Sequence, residues 1–409
     1  MKKLSVLVSC ATVLALAGAG CRWPAFLSIK TTVEPITTTV TETPREMPPT
    51  IPSSGFIALS GDQEGFSAQI KLMRLPWDTY GEFSFVIDGQ AKLGTFSAEK
   101  NSVTSTILTA YENSENLLGK LTIFWPMTES DTAQATWIAD ATGKPQNLEL
   151  QTITMAHRWT VEKAHVTHTD ATTNNEVCFY QSAYPLLVES EPNARVINAA
   201  IERASVGYLD TTTAISSIEQ RASEYVAACV GEIQALVNEL GPEEIPSLAY
   251  SLDAAGWVTL DTEDIISLRF DGYEYTGGAH GNPSLAGLTI DPKTGHTLLL
   301  KDIIAPDKLQ ALLAKERQIL LSDEEGGYLY EETNAQFREF LALPTYPADK
   351  QVELYGNDSN FYLTEKGIVI YHTAYEIAAY AAGQFETEIP YSDMKEMIRQ
   401  DGPLASYTR

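Results

Sequence analysis

The chain of 409 residues is long enough to build two domains, each with its own hydrophobic core. Its hydrophobic content of 44% and charged content of 20% are typical of a globular protein, whereas its formal net charge of -26 is not. The first 54 residues hold five Lys/Arg against three Asp/Glu, so the remainder carries a net charge of -28. Such a surface repels nucleic acid and anionic lipid headgroups. It favours cationic partners or divalent ions, or it serves solubility alone.

Residues 1–21 have the pattern of a bacterial lipoprotein signal peptide. Lys2 and Lys3 form a basic segment, Leu4–Ala17 is apolar but short for a membrane span, and small residues precede Cys21. We therefore expect export, cleavage before Cys21 and lipidation of this cysteine. Ordinary secretion is the alternative, because Gly18 stands where such a signal usually has Leu.

The segment after the cysteine predicts both the membrane to which the protein is attached and the distance that its tether spans. By resemblance to lipoprotein sorting, Arg22 in place of Asp predicts the outer membrane, facing the periplasm, if the organism has one. Otherwise we expect attachment to the outer face of the plasma membrane. Residues 22–54 are rich in Thr and Pro and hold few apolar side chains, so we expect a disordered tether. Extended as polyproline II, it reaches roughly 100 Å at ~3.1 Å per residue.

Residues 55–151 have the pattern of a small all-β domain. Short apolar runs alternate with segments that contain Gly, Asp and Asn, which predicts a barrel or a sandwich. A barrel of this size is usually filled by its own side chains, although a barrel mouth is also a place where ligands bind. The predicted strands lie at Phe56–Leu59, Phe66–Leu72, Glu82–Val86, Thr106–Thr109, Leu121–Trp125, Ala135–Ile138 and Leu148–Leu150.

Residues 155–409 mix helical and strand patterns without regular βαβ alternation. This mixture predicts an α+β domain in which an antiparallel sheet carries helices on one face. The first helix is expected to be capped by Ser190, with Pro192 in its first turn, and the second to end at Gly241. Strand patterns lie at about 157–168, 176–180, 247–252, 256–261, 264–270, 361–372 and 385–390, and helical patterns at about 192–204, 213–240, 306–321, 334–341 and after a cap at Ser392.

Three histidines near the start of this domain, His157, His165 and His168, raise the question of a metal site. His165 and His168 point to opposite faces in a regular strand, and no cluster of Cys or carboxylates completes a set of ligands. We therefore favour exposed surface histidines over a metal site, and we expect no cofactor.

Cys178 and Cys229 are the only cysteines beyond the predicted signal peptide. Export leads to an oxidising compartment, and both cysteines lie in apolar elements of one domain. These facts predict a disulfide, with two unpaired buried thiols as the alternative.

The stretch Tyr273–Pro283 holds three glycines between two predicted strands. Glycine permits positive φ and the close approach of another backbone, so a tight loop is expected. A structural turn, a binding site and catalysis are the three roles open to this loop. Its candidate binding residues are Gly277, Gly278, His280, Gly281 and Asn282.

His280 is the best catalytic candidate in the chain, with Asp291, Asp302 or Glu376 as carboxylates that could orient it. A histidine among glycines, however, is commonly part of a structural turn in which its ring bonds to a backbone carbonyl. The common motifs for a nucleophile, a zinc protease, a phosphate loop and a dinucleotide site do not occur in the sequence. We therefore expect no enzymatic activity. The alternative is an envelope hydrolase or glycan-modifying enzyme that uses His280.

Three separated motifs resemble one family. The loop Gly277–Asn282, with Thr289–Gly295 after it, is followed in the same order by Phe361–Tyr371 and Tyr375–Gly383. Over about 159–398, the chain resembles the extracellular domain of unknown function shared by RsiV-type anti-sigma factors and PdaC-type polysaccharide deacetylases. The resemblance implies an α+β envelope domain. It does not imply an enzyme, because the catalytic domain of those deacetylases is a different one.

The resemblance also implies a partner, because members of the anti-sigma branch act as receptors for muramidases. Lysozyme-like muramidases are strongly basic, which suits an acidic chain on a long tether. We therefore expect a non-catalytic binding function toward such a protein or toward cell-wall glycan. The binding surface is expected to include the glycine loop together with Asp271 and Glu274.

Overall fold

The computed structural model describes residues 55–408, except 113–115, 127–131, 141–142, 154, 172–173, 207–215, 242–248, 323–326 and 346–359. The predicted signal peptide, Cys21 and the predicted tether lie outside the described residues, as does the predicted start of the second helix near Thr213. All the described residues belong to one compact unit. Within this part of the chain, no helix is both long and apolar enough to cross a membrane.

The first eight strands form a closed antiparallel barrel, in which each strand pairs with the next and the last pairs with the first. All seven predicted strands are present. The sequence pattern misses the fourth strand, because its glycine and lysines interrupt the apolar alternation. The strands are β1 (Gly55–Gln63), β2 (Phe66–Arg74), β3 (Thr79–Ile87), β4 (Gln90–Asn101), β5 (Ser105–Glu112), β6 (Asn116–Phe124), β7 (Thr132–Ala139) and β8 (Pro145–Thr152).

Aromatic side chains fill the middle of this barrel. Phe85 is fully buried, and its ring centroid lies 4.3 Å from Phe83, 5.1 Å from Phe66 and 5.1 Å from Trp137. Leucine and isoleucine side chains from the other inward positions complete the core. The barrel interior is therefore a packed core, as expected for eight strands.

A six-stranded sheet and two helices follow. The elements are β9 (Trp159–Thr169), β10 (Glu176–Leu187), α1 (Ala194–Ala204), α2 (Ile218–Leu240), β11 (Tyr250–Asp261), β12 (Ile266–Tyr275), β13 (Asn282–Asp291) and β14 (His296–Thr297). The strand order is β14-β13-β12-β11-β10-β9, and only the β10–β11 pair among these six strands is parallel. Because α1 and α2 connect these two strands, they serve as the crossover that a parallel pair requires.

Both helices pack on one face of this sheet, as predicted. α1 buries Ile197 and Ile201 and α2 buries Ala222, all against sheet residues such as Leu268. The predicted disulfide is present between Cys178 of β10 and Cys229 of α2, with an S–S distance of 2.04 Å. It fixes the longer helix to the sheet.

Two predicted helix caps are wrong. α1 begins after Asn193, whose backbone is left-handed with φ 56°. Ser190 instead accepts a hydrogen bond from Arg158 Nη2 at 2.7 Å, because residues 189–192 form turns before the helix. The last helix begins after Pro390, so Ser392 lies within its first turn and bonds to Asp393. In contrast, Ser217 caps α2 and accepts from the backbone N–H of Gln220.

The C-terminal part forms a three-stranded antiparallel sheet with helices on its outer side. Its elements are α3 (Leu300–Ile303), α4 (Leu309–Ser322), α5 (Glu331–Ala342), β15 (Phe361–Leu363), β16 (Gly367–His372), β17 (Phe385–Pro390) and α6 (Tyr391–Met394). This small sheet packs on the face of the six-stranded sheet that α1 and α2 leave free. The backbone N–H of Gly287 donates to the Tyr371 hydroxyl at 2.9 Å, and that of Leu363 donates to Ser267 Oγ at 2.9 Å.

The barrel packs on the same face of the six-stranded sheet, beside the small sheet. Met73 and Leu75 of the barrel contact Ala255 and Trp257 of β11. Lys71 joins all three parts: its ammonium donates to the carbonyl of Thr259 at 2.8 Å and lies 3.4 Å from Glu82 and 3.0 Å from Glu365.

Candidate functional site

The glycine loop connects β12 to β13 and needs glycine for two different reasons. Gly277 and Gly278 have φ of 86° and 97°, a backbone that other residues rarely adopt. At Gly281 the limit is space, because a side-chain carbon there would lie 2.4 Å from the ring of Tyr273. The loop therefore has a defined shape and is packed against its neighbours.

Three tyrosine hydroxyls hold the loop in this shape. Tyr275 donates to the carbonyl of Gly278 at 3.0 Å, and the N–H of Gly281 donates to the hydroxyl of Tyr273 at 3.0 Å. From a distant part of the chain, Tyr380 donates to the carbonyl of Gly281 at 2.8 Å. The loop is thus attached both to β12 and to the segment before β17.

His280 is held by ring stacking and by hydrogen bonds. Its ring lies 3.7 Å from that of Tyr380, with the planes 19° apart. Nδ1 lies 3.0 Å from the carbonyl oxygen of Gly281, which only accepts, so Nδ1 carries the hydrogen. In the neutral ring Nε2 then accepts from the Tyr375 hydroxyl at 3.3 Å.

Four of these aromatic side chains form one exposed group, which we call the tyrosine surface: Tyr273, His280, Tyr375 and Tyr380. Tyr273 is 45% exposed and Tyr375 is 55% exposed. Tyr375 also has φ of 71°, in the left-handed region where a bulky residue is an outlier. The protein therefore maintains an unfavourable backbone at a side chain that is mainly in solvent.

A buried hydrogen-bond network anchors the turn that carries Tyr375. The Glu376 carboxylate accepts from the N–H of Thr373 at 2.8 Å and lies 3.3 Å from His372 Nδ1. The other ring nitrogen of His372 lies 2.9 Å from Glu316 of α4. Burial opposes the charged ring, but the hydrogen bonds to Glu316 and Glu376 outweigh it and raise the pKa of His372 to about 9.

Carboxylates border the tyrosine surface on the six-stranded sheet. Asp271 precedes Tyr273 by two residues and Asp253 lies opposite Tyr273 across β11–β12, so all three share one face. Arg269 bridges Asp271 at 3.1 Å and Glu386 at 2.9 Å. Burial raises the pKa of Asp271 to about 6, against the favourable charge of Arg269. Burial likewise raises the pKa of Asp253.

The structure separates some of the predicted site residues. His280 and the loop glycines lie together, and Asp271 lies on the sheet face next to them. Glu274 and its cross-strand partner Asn282 are on the opposite face of β12 and β13, the face that α2 covers. Burial and then the charge of Glu232 on α2 raise the pKa of Glu274.

The three carboxylates suggested as partners of His280 are bonded elsewhere. Asp291 accepts from Lys293 and Thr294 in the β13–β14 turn, and Asp302 accepts from the N–H of Leu299. Glu376 bonds to the turn of Tyr375 as described above. The contacts of the His280 ring are therefore with tyrosines and a backbone carbonyl.

The three histidines near the start of the α+β domain contact different partners. His157 Nδ1 bonds to Asp261 at 2.6 Å, and the ring of His165 stacks on Trp77 of the barrel at 5.0 Å. His168 is exposed near the end of β9. Among the described residues, no group of three His, Cys, Asp or Glu is placed to hold a metal ion.

Tyr375 and Tyr380 are the site residues that the sequence reasoning does not single out. They lie about 100 residues beyond the glycine loop, and only the fold brings them to it. A signal does exist in the sequence, because Tyr375 and Tyr380 are large polar aromatics in a segment otherwise made largely of alanine.

Two family models match this part of the chain. Residues 172–283 match the model described as deacetylase PdaC, and residues 301–392 match the model described as a protein of unknown function, DUF3298. The first match ends in the glycine loop and the second includes Tyr375 and Tyr380. A search of curated proteins finds no significant match.

Solved structures of DUF3298 proteins are also similar. A member from Bacteroides fragilis (BF2082) is 22% identical, with a TM-score of 0.43, and the match covers 63% of this chain and 99% of that one. A member from Pseudomonas aeruginosa (PA4972) is 18% identical, with a TM-score of 0.37, and the match covers 60% of this chain and 96% of that one.

The two family models occur side by side, in the part of the chain where the sequence motifs predict them. The matches at 172–283 and 301–392 are consistent with a PdaC/RsiV-type domain of unknown function in the α+β part of this chain.

Proposed function

We propose that this chain is a non-catalytic binding protein of the cell envelope, attached to a membrane by a lipid on Cys21. The observation that supports binding is Tyr375, an exposed aromatic residue at φ 71° in a turn that hydrogen bonds of Glu376 connect to the buried His372. Such a backbone costs on the order of 1 kcal/mol. Because more than half of the side chain remains in solvent, its packing within the domain does not account for this cost.

The partner that best suits the site is a basic protein of the muramidase type. Tyrosine is enriched in the centres of protein interfaces, and its ring also attracts Lys and Arg side chains. Asp253, Asp271 and Glu386 border the tyrosine surface, and the chain beyond residue 54 carries a net charge of -28. A cationic partner is therefore steered to this region, at a rate that falls as salt screens the charges.

The binding test compares variants that leave the net charge nearly unchanged. His280→Ala removes the stacked ring of this loop, and we expect about tenfold weaker binding of a basic muramidase, a typical loss for an interface anchor. His296→Ala is the matched control, because His296 is an exposed histidine in β14, beyond the opposite end of β13. Surface plasmon resonance at two salt concentrations measures the affinities and association rates.

The outcomes separate the alternatives. Equal binding by the wild type and the loop variant, or wild-type binding no tighter than to a charge-matched inert protein, contradicts the receptor role at this site. Binding of peptidoglycan fragments without muramidase binding changes the partner to cell-wall glycan. Turnover of those fragments that disappears in His280→Ala instead supports the hydrolase alternative.

Membrane attachment is tested separately. We expect Cys21→Ser to release the mature protein into the soluble fraction or to leave the precursor uncleaved. If the variant is processed normally and still sediments with membranes, the lipid anchor is wrong.

A further inference from the structure

One end of the barrel interior is polar, unlike its aromatic middle. The inward positions of β2, β3 and β5 are apolar along most of their length and end in Arg74, Thr79 and Thr106. These three residues are 4%, 1% and 0% exposed, and Trp125 beside them is 6% exposed. We call these four residues the barrel mouth.

Arg74 is a buried cation whose described contacts include no carboxylate. Its guanidinium carbon lies 4.6 Å from the centre of the Trp125 ring, and Nη2 donates to the carbonyls of Ser102 at 2.6 Å and Val103 at 3.1 Å. Burial lowers the pKa of Arg74, yet a guanidinium remains charged at any physiological pH. A charge with so little exposure is tolerated only where hydrogen bonds, an aromatic ring or a counter-charge replace its lost hydration.

Two other cations of low exposure in this chain are paired with carboxylates. Lys71 has Glu82 and Glu365 within 3.4 Å, and Arg269 has Asp271 and Glu386 within 3.1 Å. The sequence contains 54 Asp and Glu against 28 Lys and Arg. In so acidic a protein, a buried arginine with no carboxylate among its described contacts is a place where a ligand can supply the counter-charge.

Several donors in the barrel mouth have no acceptor. In the described part of the chain, Nε and Nη1 of Arg74 make no hydrogen bond, and neither atom is sealed from solvent. The hydroxyl of Thr79 is buried without a partner, and Thr79 lies directly opposite Arg74 in the β2–β3 pair.

The remaining polar groups of the mouth are already bonded to each other. Trp125 Nε1 donates to Thr106 at 2.8 Å, Thr106 donates to Asn101 at 2.9 Å, and Asn101 donates to the carbonyl of Leu75 at 2.6 Å. The free positions are therefore donors around a positive charge, with an aromatic ring beneath the guanidinium. A ligand for them must accept hydrogen bonds and carry negative charge.

We propose that the barrel mouth is a binding site for a small anionic group, a carboxylate or a phosphate, which receives hydrogen bonds from Arg74 Nε and Nη1. The site is independent of the tyrosine surface. It also opposes the overall field of the protein, which repels anions at long range. Binding there therefore reports local recognition and not general attraction between charges.

The test follows the Arg74 Nε–H signal by NMR during titration with inorganic phosphate and, separately, with acetate, with sodium chloride at equal ionic strength as the reference. We expect a saturable shift with at least one of the two anions. A response to phosphate alone assigns a phosphoryl ligand, and a response to acetate alone assigns a carboxylate. If neither anion gives a saturable shift, the proposal is wrong.

Two variants identify the donors, with anion binding followed by calorimetry. Thr79→Val keeps the shape and removes only a hydroxyl that is sealed from solvent and has no partner, so folding should be preserved and anion affinity should equal that of the wild type. Arg74→Met should abolish binding. Arg158→Met removes an arginine that is 68% exposed and is the matched control, expected to bind as the wild type does. Unchanged affinity in a folded Arg74→Met contradicts the assigned contact, and if that variant fails to fold, the NMR titration of the wild type decides.

Discussion

In the barrel, aromatic rings point inward and contact one another, whereas on the tyrosine surface they point outward from loops and end in hydroxyl groups. The barrel uses phenylalanine and tryptophan, whose contacts there are mainly with other apolar side chains. The tyrosine surface uses side chains that hold the backbone through their hydroxyls and still expose their rings. The barrel rings therefore serve stability, whereas the exposed rings of the tyrosine surface suit the binding role that we propose for them.

The largest expected effect tests the barrel side of this comparison. Phe85→Ala removes a fully buried ring and should lower the free energy of unfolding by about 3–5 kcal/mol, the range for such core truncations. Urea unfolding followed by circular dichroism measures this loss. Binding of a basic muramidase should be unchanged where the variant is still folded. A parallel loss of affinity in the folded variant means that the barrel core does more than support the domain.

A second prediction uses pH to test the α+β side of the comparison. The barrel cannot contribute a histidine titration, because residues 55–152 contain no histidine. The pKa of His372 is raised to about 9, from about 6.5 in an unfolded chain. The stability gained from its protonation is therefore complete below pH 6.5 and is lost as pH rises through 9. The loss approaches about 3 kcal/mol. Urea unfolding between pH 6 and 9.5 measures it.

The matched variant for this pH test is His372→Gln, which keeps a hydrogen-bonding side chain without a titrating ring. We expect it to be less stable than the wild type near neutral pH and to lose the fall in stability toward pH 9. If wild type and variant show the same pH dependence, then the network of Glu316, His372 and Glu376 does not control it.

Much of this architecture could be predicted from the sequence, because hydrophobic periodicity reports local structure directly. The seven barrel strands and the helices α1 and α2 follow from it, and the disulfide follows from the number and place of the cysteines. The β4 strand could not, since its pairing with β3 and β5 supplies the stability that its own composition lacks. The predicted caps at Ser190 and Ser392 were wrong, because the first helix begins after the left-handed Asn193 and the last helix begins after Pro390.

The candidate site was predictable only in part, for a different reason. Gly277, Gly278 and Gly281 indicate a loop in the sequence. Glycine is required there by positive φ or by the lack of space for a side chain. Nothing in the local pattern brings Tyr375 and Tyr380 to that loop, because this contact spans about 100 residues and depends on packing of the small sheet on the larger one. The sequence pattern likewise did not show that Asp271 and Glu274 point to opposite faces of the sheet, because side-chain direction depends on the strand register.

The smallest expected effect on stability distinguishes most clearly between a side chain that serves folding and one that serves binding. Tyr375→Gly places glycine where φ is 71°, which relieves an unfavourable backbone and should leave stability equal to the wild type or raise it by up to about 1 kcal/mol. The same change removes the exposed ring and the hydroxyl that contacts His280, so muramidase binding should weaken about tenfold. Thermal unfolding and surface plasmon resonance on one preparation give both values. Tyr328→Gly replaces another tyrosine that is 66% exposed, and a comparable loss of binding in this control contradicts a specific role for Tyr375. A variant of Tyr375 that loses stability while it keeps its affinity means that the strained turn serves folding and that the tyrosine surface is not the binding site.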